Sequence, residues 1–478
     1  MDHARFMFLN RYLARVSGAS ISPLAEFSLR FLRSVILARV LMPSDFGAAV
    51  ALATILSGFE LVTDVGLAQF VVVHARENSA QAVAAAQRIA LVRCFVMALS
   101  IVVLAPLLAR LFGATASVTS IRWLGAVALI RGFRNWRIIQ VQGDYRYAPQ
   151  AVAIVVSQIA SVIAIVPAAA WFQDERALVA SLLLEAAIYV TLSRLLLKKE
   201  RVTSIDPAIR RAAMTYGLPL MINGVGLFVL AQFDRVIVAN LFGLANLALY
   251  SVVLTLAIVP TSALSQVIGS FGLPFLGRWR EDYAGSRRAT LILILGILII
   301  AATYAVGVGL LLDRLVPLIY GSHYRVTQGL RALATGVAFL RLCRAGLNLI
   351  LLNHSQTGRL TLGNIVSGAG VVMSFLLAIW SQRVEAVVLG LLIGDLLSLF
   401  LLFAFTSRHL PAATAVRHAG VLILPVGLAA WGPLAVSGGG VGVRVLIAAV
   451  SALVIASEAA IVYRRYVAKP VSGRAFTA

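Results

Sequence analysis

Residues 291–312 read LILILGILIIAATYAVGVGLLL, a run with no charged side chain. A helix needs about 20 apolar residues to cross the hydrocarbon core of a bilayer. A membrane β-strand would instead show about ten residues of alternating character, and this run does not alternate. Similar runs recur from end to end of the 478-residue chain, which is 60% hydrophobic and 13% charged. Its mean hydropathy is +0.94. Soluble domains carry about 25% charged residues. The expected fold class is therefore an all-α integral membrane protein.

Hydropathy predicts about fourteen membrane-spanning helices: 18–41, 46–72, 89–112, 118–142, 149–171, 177–197, 214–241, 246–276, 289–312, 328–352, 360–380, 384–406, 416–436 and 443–463. The expected organisation is two pseudo-symmetric six-helix lobes followed by a helix pair. It comprises a cytoplasmic N-terminal segment (1–17), an N-lobe (18–197) and a cytoplasmic linker (198–213). A C-lobe (214–406), helices 13 and 14 (407–463) and a cytoplasmic tail (464–478) follow. Residues 1–17 are short, basic and interrupted, unlike a cleaved signal peptide.

Charge orients the spans. With both termini in the cytoplasm, the inside segments hold about 23 Lys and Arg, among them Arg5, Arg88, Lys198, Arg210, Arg288, Arg359 and Arg465. The outside loops hold about five: Arg176, Arg314, Arg325, Arg383 and Arg444. This is the positive-inside pattern. It accounts for most of the net charge of +22. In a soluble chain that charge would point to nucleic acid; here it points to the anionic inner leaflet, and no nucleic-acid partner is expected.

Several functions are excluded. None of the three lysines precedes Ser or Thr, so a Walker A motif is absent. There is no CxxC, no HExxH and no histidine cluster. No metal, no cofactor and no enzymatic activity are expected. Cys94 and Cys343 both fall in apolar helices, too few for a disulfide framework.

The informative residues are charges inside the spans. A charge at bilayer depth costs at least about 2.5 kcal/mol and usually faces a protein interior or an aqueous cavity. Glu26, Arg30 and Arg33 share one helical face, Glu60 and Asp64 lie one turn apart, and Arg131 and Arg134 lie on the fourth span. Asn223, Asp234 and Arg235 lie on the seventh, Arg341, Arg344 and Asn348 share a face of the tenth, and Asp395 stands alone in the twelfth. Positive charge remains in excess after pairing. Converging guanidinium groups suit a phosphate, to which they donate in bidentate fashion.

The run R-x5-R-V-L-M-P-S-D-F-G (33–47), followed by FELVTDVGLAQFVV (59–72), resembles the N-terminal signature of polysaccharide flippases of the multidrug/oligosaccharidyl-lipid/polysaccharide exporter superfamily. FDRVIVANLFGLANLALYSVV (233–253) is similar to the helix and turn that open that family's second lobe, and LVPLIYGSHY (315–324) resembles its helix 9–10 connection. A shift of 202 residues places Arg33 on Arg235 and aligns RSVILARVLMPSDFGAAV with RVIVANLFGLANLALYSV. Such internal repeats accompany alternating access around a midplane site.

The resemblance implies a flippase in the bacterial inner membrane. It would move a polyprenyl-pyrophosphate-linked oligosaccharide from the cytoplasmic to the periplasmic leaflet, for exopolysaccharide, capsule or O-antigen synthesis. Polysaccharide polymerase and chain-length proteins are the candidate partners besides the bilayer. Arg30, Arg33, Arg134, Arg341, Arg344 and Asn348 are the candidate substrate contacts. Glu26, Glu60, Asp64 and Asp234 are candidates for ion coupling or charge pairing. The alternative is an ion-coupled drug or metabolite antiporter of the same superfamily, which needs acidic and aromatic linings for cationic substrates.

Overall fold

The computed structural model describes residues 25–73, 79–144, 146–197, 207–279, 283–407, 412–435 and 441–464. The expected terminal segments (1–17 and all but the first residue of 464–478), the start of the first span and 198–206 of the linker lie outside them. The described regular structure is all helical, as a chain in lipid requires when its backbone groups must be satisfied internally.

The helices are α1 (25–40), α2 (Pro43–Val62), α3 (Leu67–Val73), α4 (Ser79–Leu111), α5 (Val118–Gly132), α6 (Arg137–Gln140), α7 (Ala148–Phe172) and α8 (Arg176–Leu195). There follow α9 (Pro207–Phe242), α10 (Leu244–Gly277), α11 (Tyr283–Tyr320), α12 (Gln328–Asn353), α13 (Thr357–Ser381), α14 (Val384–Thr406), α15 (Ala412–Ala435) and α16 (Val441–Val462). Eleven of the described helices are long and apolar enough to cross a membrane. The others that correspond to expected spans are α1, the 15-residue α5 and α15, whose apolar stretch is Val416–Ala430.

Two expected spans are broken rather than continuous. The second, 46–72, stops at Val62 and resumes as α3. Between them the Asp64 carboxylate accepts the Gly66 N–H at 3.1 Å and Gly66 takes φ +59°. This is an Asx turn closed by a left-handed glycine. The fourth, 118–142, stops at Gly132. Asn135 then accepts the Arg137 N–H at 3.1 Å, donates to the Leu197 carbonyl at 2.7 Å, and has its own N–H bound by Ser193. Both breaks are made by short polar side chains that compete with the helix for backbone groups.

Contacts divide the chain into two compact units, Met1–Ala248 and Leu249–Ala478. The division falls inside α10. α9 packs on α2, α3 and α4 of the first unit, where the sequence reading opened the second lobe at residue 214. It also begins at Pro207, inside the stretch expected as linker. Small residues explain the packing: Gly224 abuts the Leu61 carbonyl, and a Cβ on Gly217 would lie 2.7 Å from Val65.

In the second unit α13 and α14 form an antiparallel pair along a seam of small residues. A Cβ on Gly370 would lie 2.9 Å from the Gly390 carbonyl, and Ser374 donates to the Val387 carbonyl at 2.7 Å. Close backbone approach of this kind is how helices associate where lipid removes the hydrophobic driving force. The turns of the α7–α8 and α13–α14 hairpins are closed alike, by Gln173 (φ 55°) and Gln382 (φ 53°) in left-handed C-cap geometry. The α15–α16 pair packs on α11. It is fastened at one end by Asp313, which accepts from Arg444 at 2.8 and 2.5 Å and from Arg331 at 3.3 Å. Near the other end His418 and Glu458, both buried, meet at 2.6 Å.

Candidate functional site

The first unit holds a cavity of about 580 Å3. Its walls come from α1 (Glu26, Arg30), α2 (Glu60), the α2–α3 break (Asp64), α4 (Arg93), α5 (Arg131), the α5–α6 break (Arg134, Trp136), α7 (Gln158) and α8 (Glu185, Tyr189). The two helix breaks thus lie on the cavity wall. There they turn Asp64, Arg134 and Trp136 out of helical register and into the space.

Charges in the wall are paired one by one. Glu26 and Arg30 meet at 2.6 Å across one turn of α1. Arg93 reaches Asp64 at 3.4 Å. Arg131 binds Glu60 and also donates to Glu185 at 3.2 Å. Glu185 is 6% exposed and anchors the network. It accepts from Arg33 at 2.7 Å and from Gln158 at 3.1 Å besides Arg131. A buried carboxylate is tolerated only with such multiple donors. Arg134 differs. Its guanidinium lies 3.8 Å from the Trp136 ring centroid, and among the described residues no carboxylate pairs with it. The indole face offers a cation–π surface without neutralising the charge.

The second unit holds a compact polar cluster. Asp395, 2% exposed on α14, accepts from Arg341 at 3.2 Å, from Ser367 at 2.8 Å and from Arg344. Arg344 also donates to Ser367 at 2.7 Å and to Asn364 at 3.3 Å. The Asn348 side-chain carbonyl is buried one turn beyond Arg344, with no partner among the described residues.

Glu26, Arg30, Glu60, Asp64 and Arg134 therefore meet in one cavity, and Arg341 and Arg344 meet at Asp395. Arg33 does not line the cavity: it is 9% exposed and turned to Glu185 and Ser161. Asp234, buried on α9, is also outside the lining. The sequence reading did not single out Glu185 or Arg93 and left Arg131 and Asp395 off the site. The available signal was a lone acid inside an apolar run, LLLEAAI (182–188) and LLIGDLL (391–397). Such an acid must find a cation to stay in lipid.

The pattern of the family described as polysaccharide biosynthesis protein matches residues 36–328. Among characterised proteins, the succinoglycan biosynthesis transport protein ExoT of Rhizobium meliloti (strain 1021) is 22% identical over 339 residues. That match covers 67% of this chain and 66% of the relative, just under two thirds of the latter's length. The lipid II flippase MurJ, in an inward closed conformation, superposes with a TM-score of 0.62 at 12% identity, over 92% of this chain and 98% of MurJ. An inward-facing multidrug resistance MATE transporter of the MOP superfamily gives 0.62 at 14% identity, over 84% and 99%. These likenesses show the fold: an all-helical, multi-pass membrane protein of the kind found in flippases and multidrug transporters.

Proposed function

The chain belongs to the polysaccharide biosynthesis protein family, and we propose that it is the flippase of a polysaccharide pathway. The cargo is an oligosaccharide unit on a polyprenyl pyrophosphate, carried from the cytoplasmic to the periplasmic leaflet of the bacterial inner membrane by alternating access. The observation that carries this reading is Arg134. It is a cation on the wall of a membrane cavity, seated on an aromatic face and in no ion pair with an acid among the described residues. A diphosphate supplies the missing anion, and guanidinium groups suit it. Arg30, on the cavity wall with its side chain about half exposed, is the second contact there. Arg341, Arg344 and Asn348 make the corresponding contacts in the second unit. Glu26, Glu60, Asp64 and Asp234 serve as charge partners or as the coupling group. Both termini lie in the cytoplasm, and polymerase and chain-length proteins take the product onward.

The second reading is an ion-coupled antiporter. One observation favours it: four carboxylates (Glu26, Glu60, Asp64, Glu185) line the cavity beside four arginines (Arg30, Arg93, Arg131, Arg134), so the wall as a whole is not positive.

Deleting the gene and quantifying polyprenyl-pyrophosphate-linked oligosaccharide in lipid extracts separates the two. The flippase accumulates a complete repeat unit while surface polymer disappears. Complementation with Arg134→Ala leaves the block in place, and Arg134→Lys restores part of the flux. Unchanged intermediates and unchanged polymer would select the antiporter.

A further inference from the structure

The two units carry the same ion-pair device. A shift of 210 residues lays VALIRGFR (127–134) on VAFLRLCR (337–344), matching both arginines of an R-x-x-R pair. The same shift lays Ser157 on Ser367 and Glu185 on Asp395. The geometry repeats as well. In the first unit a buried acid on α8 holds Arg131 of α5, with a polar donor, Gln158, from α7. In the second a buried acid on α14 holds Arg341 and Arg344 of α12, with a polar donor, Ser367, from α13. Each hairpin that brings the acid also closes on a W-x-Q corner, Trp171–Gln173 and Trp380–Gln382.

Resting on the flippase reading, we propose that Glu185 and Asp395 are built-in counter-ions. Each unit has its own subsite for a phosphate-type anion, and when that subsite is empty its own carboxylate occupies it. A carboxylate and a phosphate oxygen present the same acceptors to a guanidinium. Exchange of one for the other leaves Arg131, Arg341 and Arg344 neutralised throughout, while the displaced carboxylate keeps a polar donor, Gln158 at Glu185 and Ser367 at Asp395. An acid already on the arginines also reduces the fraction of protein competent to bind, which weakens apparent affinity and aids release. The second unit shows the arrangement most fully: both arginines of the pair sit on Asp395, and Arg341 is the more exposed of the two, its side chain about one third exposed.

The test uses full-length protein in nanodiscs, with sugar-free polyprenyl diphosphate and inorganic pyrophosphate as probes. Asp395→Asn binds the probe about tenfold more tightly, as for a competent fraction raised from about one tenth to near unity. Its transport slows because release is impaired. Asp395→Glu restores the original affinity, and Arg341→Ala with Arg344→Ala weakens binding. Ser367→Ala, which loosens Asp395 without removing its charge, tightens binding to a lesser degree and serves if Asp395→Asn does not fold. Tightening seen only with polyprenyl diphosphate assigns the subsite to a lipid headgroup. Equal tightening with pyrophosphate assigns it to the free anion. Arginine-dependent binding that Asp395→Asn and Ser367→Ala leave unchanged or weaken overturns the counter-ion inference and leaves the flippase standing. Wild-type protein that binds neither probe removes both.

Discussion

Glu185 shows how far a single side chain governs this molecule. It holds Arg33 and Arg131 from two other helices; without it Arg33 loses its carboxylate, while Arg131 keeps Glu60. Removing one partner of a buried pair costs about 3–5 kcal/mol. Glu185→Gln is therefore expected to lower stability in detergent by about 3 kcal/mol, read as a fall in the thermal midpoint, and Glu185→Gln with Arg33→Met to recover much of it. Asp395→Asn is milder because Arg341 is partly exposed and Arg344 keeps Ser367 and Asn364. Asp64 has two separable roles, turn acceptor and charge. Asn keeps the acceptor and drops the charge, so Asp64→Asn is expected to insert and fold normally yet lose at least about tenfold in transport if the carboxylate couples an ion, a barrier change of about 1.4 kcal/mol. Transport at the wild-type rate would end that role. That Glu26, Arg30, Glu60, Asp64 and Arg134 stand out was legible in the sequence because a charge in an apolar run is anomalous wherever it stands; that these five share one cavity was not. The direction of Arg33 was not: helical spacing puts it on the face of Glu26 and Arg30, and it is turned inward by Ser161 and by Glu185, 152 positions away.

Among the elements, continuous helices such as α11 and α14 were readable because their apolar runs exceed the bilayer thickness. The breaks at Asp64 and Asn135 were not, since hydropathy averaged over a span passes across two or three polar residues. Their trace in the sequence is local, DVG (64–66) and RN (134–135), and takes effect only where side chains find backbone partners. The seam between α13 and α14 was equally hidden. Replacing Gly390 by Leu forces that backbone contact apart, at an expected cost of about 2–3 kcal/mol or more, detected as lower yield of monodisperse protein. Replacing Gln382 by Gly relieves a left-handed side chain and is expected to be neutral or stabilising by up to about 1 kcal/mol.

At the scale of the whole molecule, the loops carry the orientation and the spans carry the site. Counting arginines across fourteen expected crossings supports the proposal that both termini are cytoplasmic. A fluorescent reporter fused after Ala478 is therefore expected to fold and shine, and a phosphatase reporter placed in the turn at Gln382–Arg383 to be active outside. The reverse pattern would overturn the orientation. The lobe boundary was less legible, because α9 is joined to the first unit by glycines that hydropathy does not weigh.

The even match of acids and arginines around the cavity has an electrical consequence. A wall with no net formal charge gives the membrane potential nothing to pull on, whereas each unbalanced charge moved across 100 mV would involve about 2.3 kcal/mol. Movement of that wall as one body then transfers no net charge. Any net current recorded during turnover then reports the charge of the cargo together with that of any ion exchanged for it.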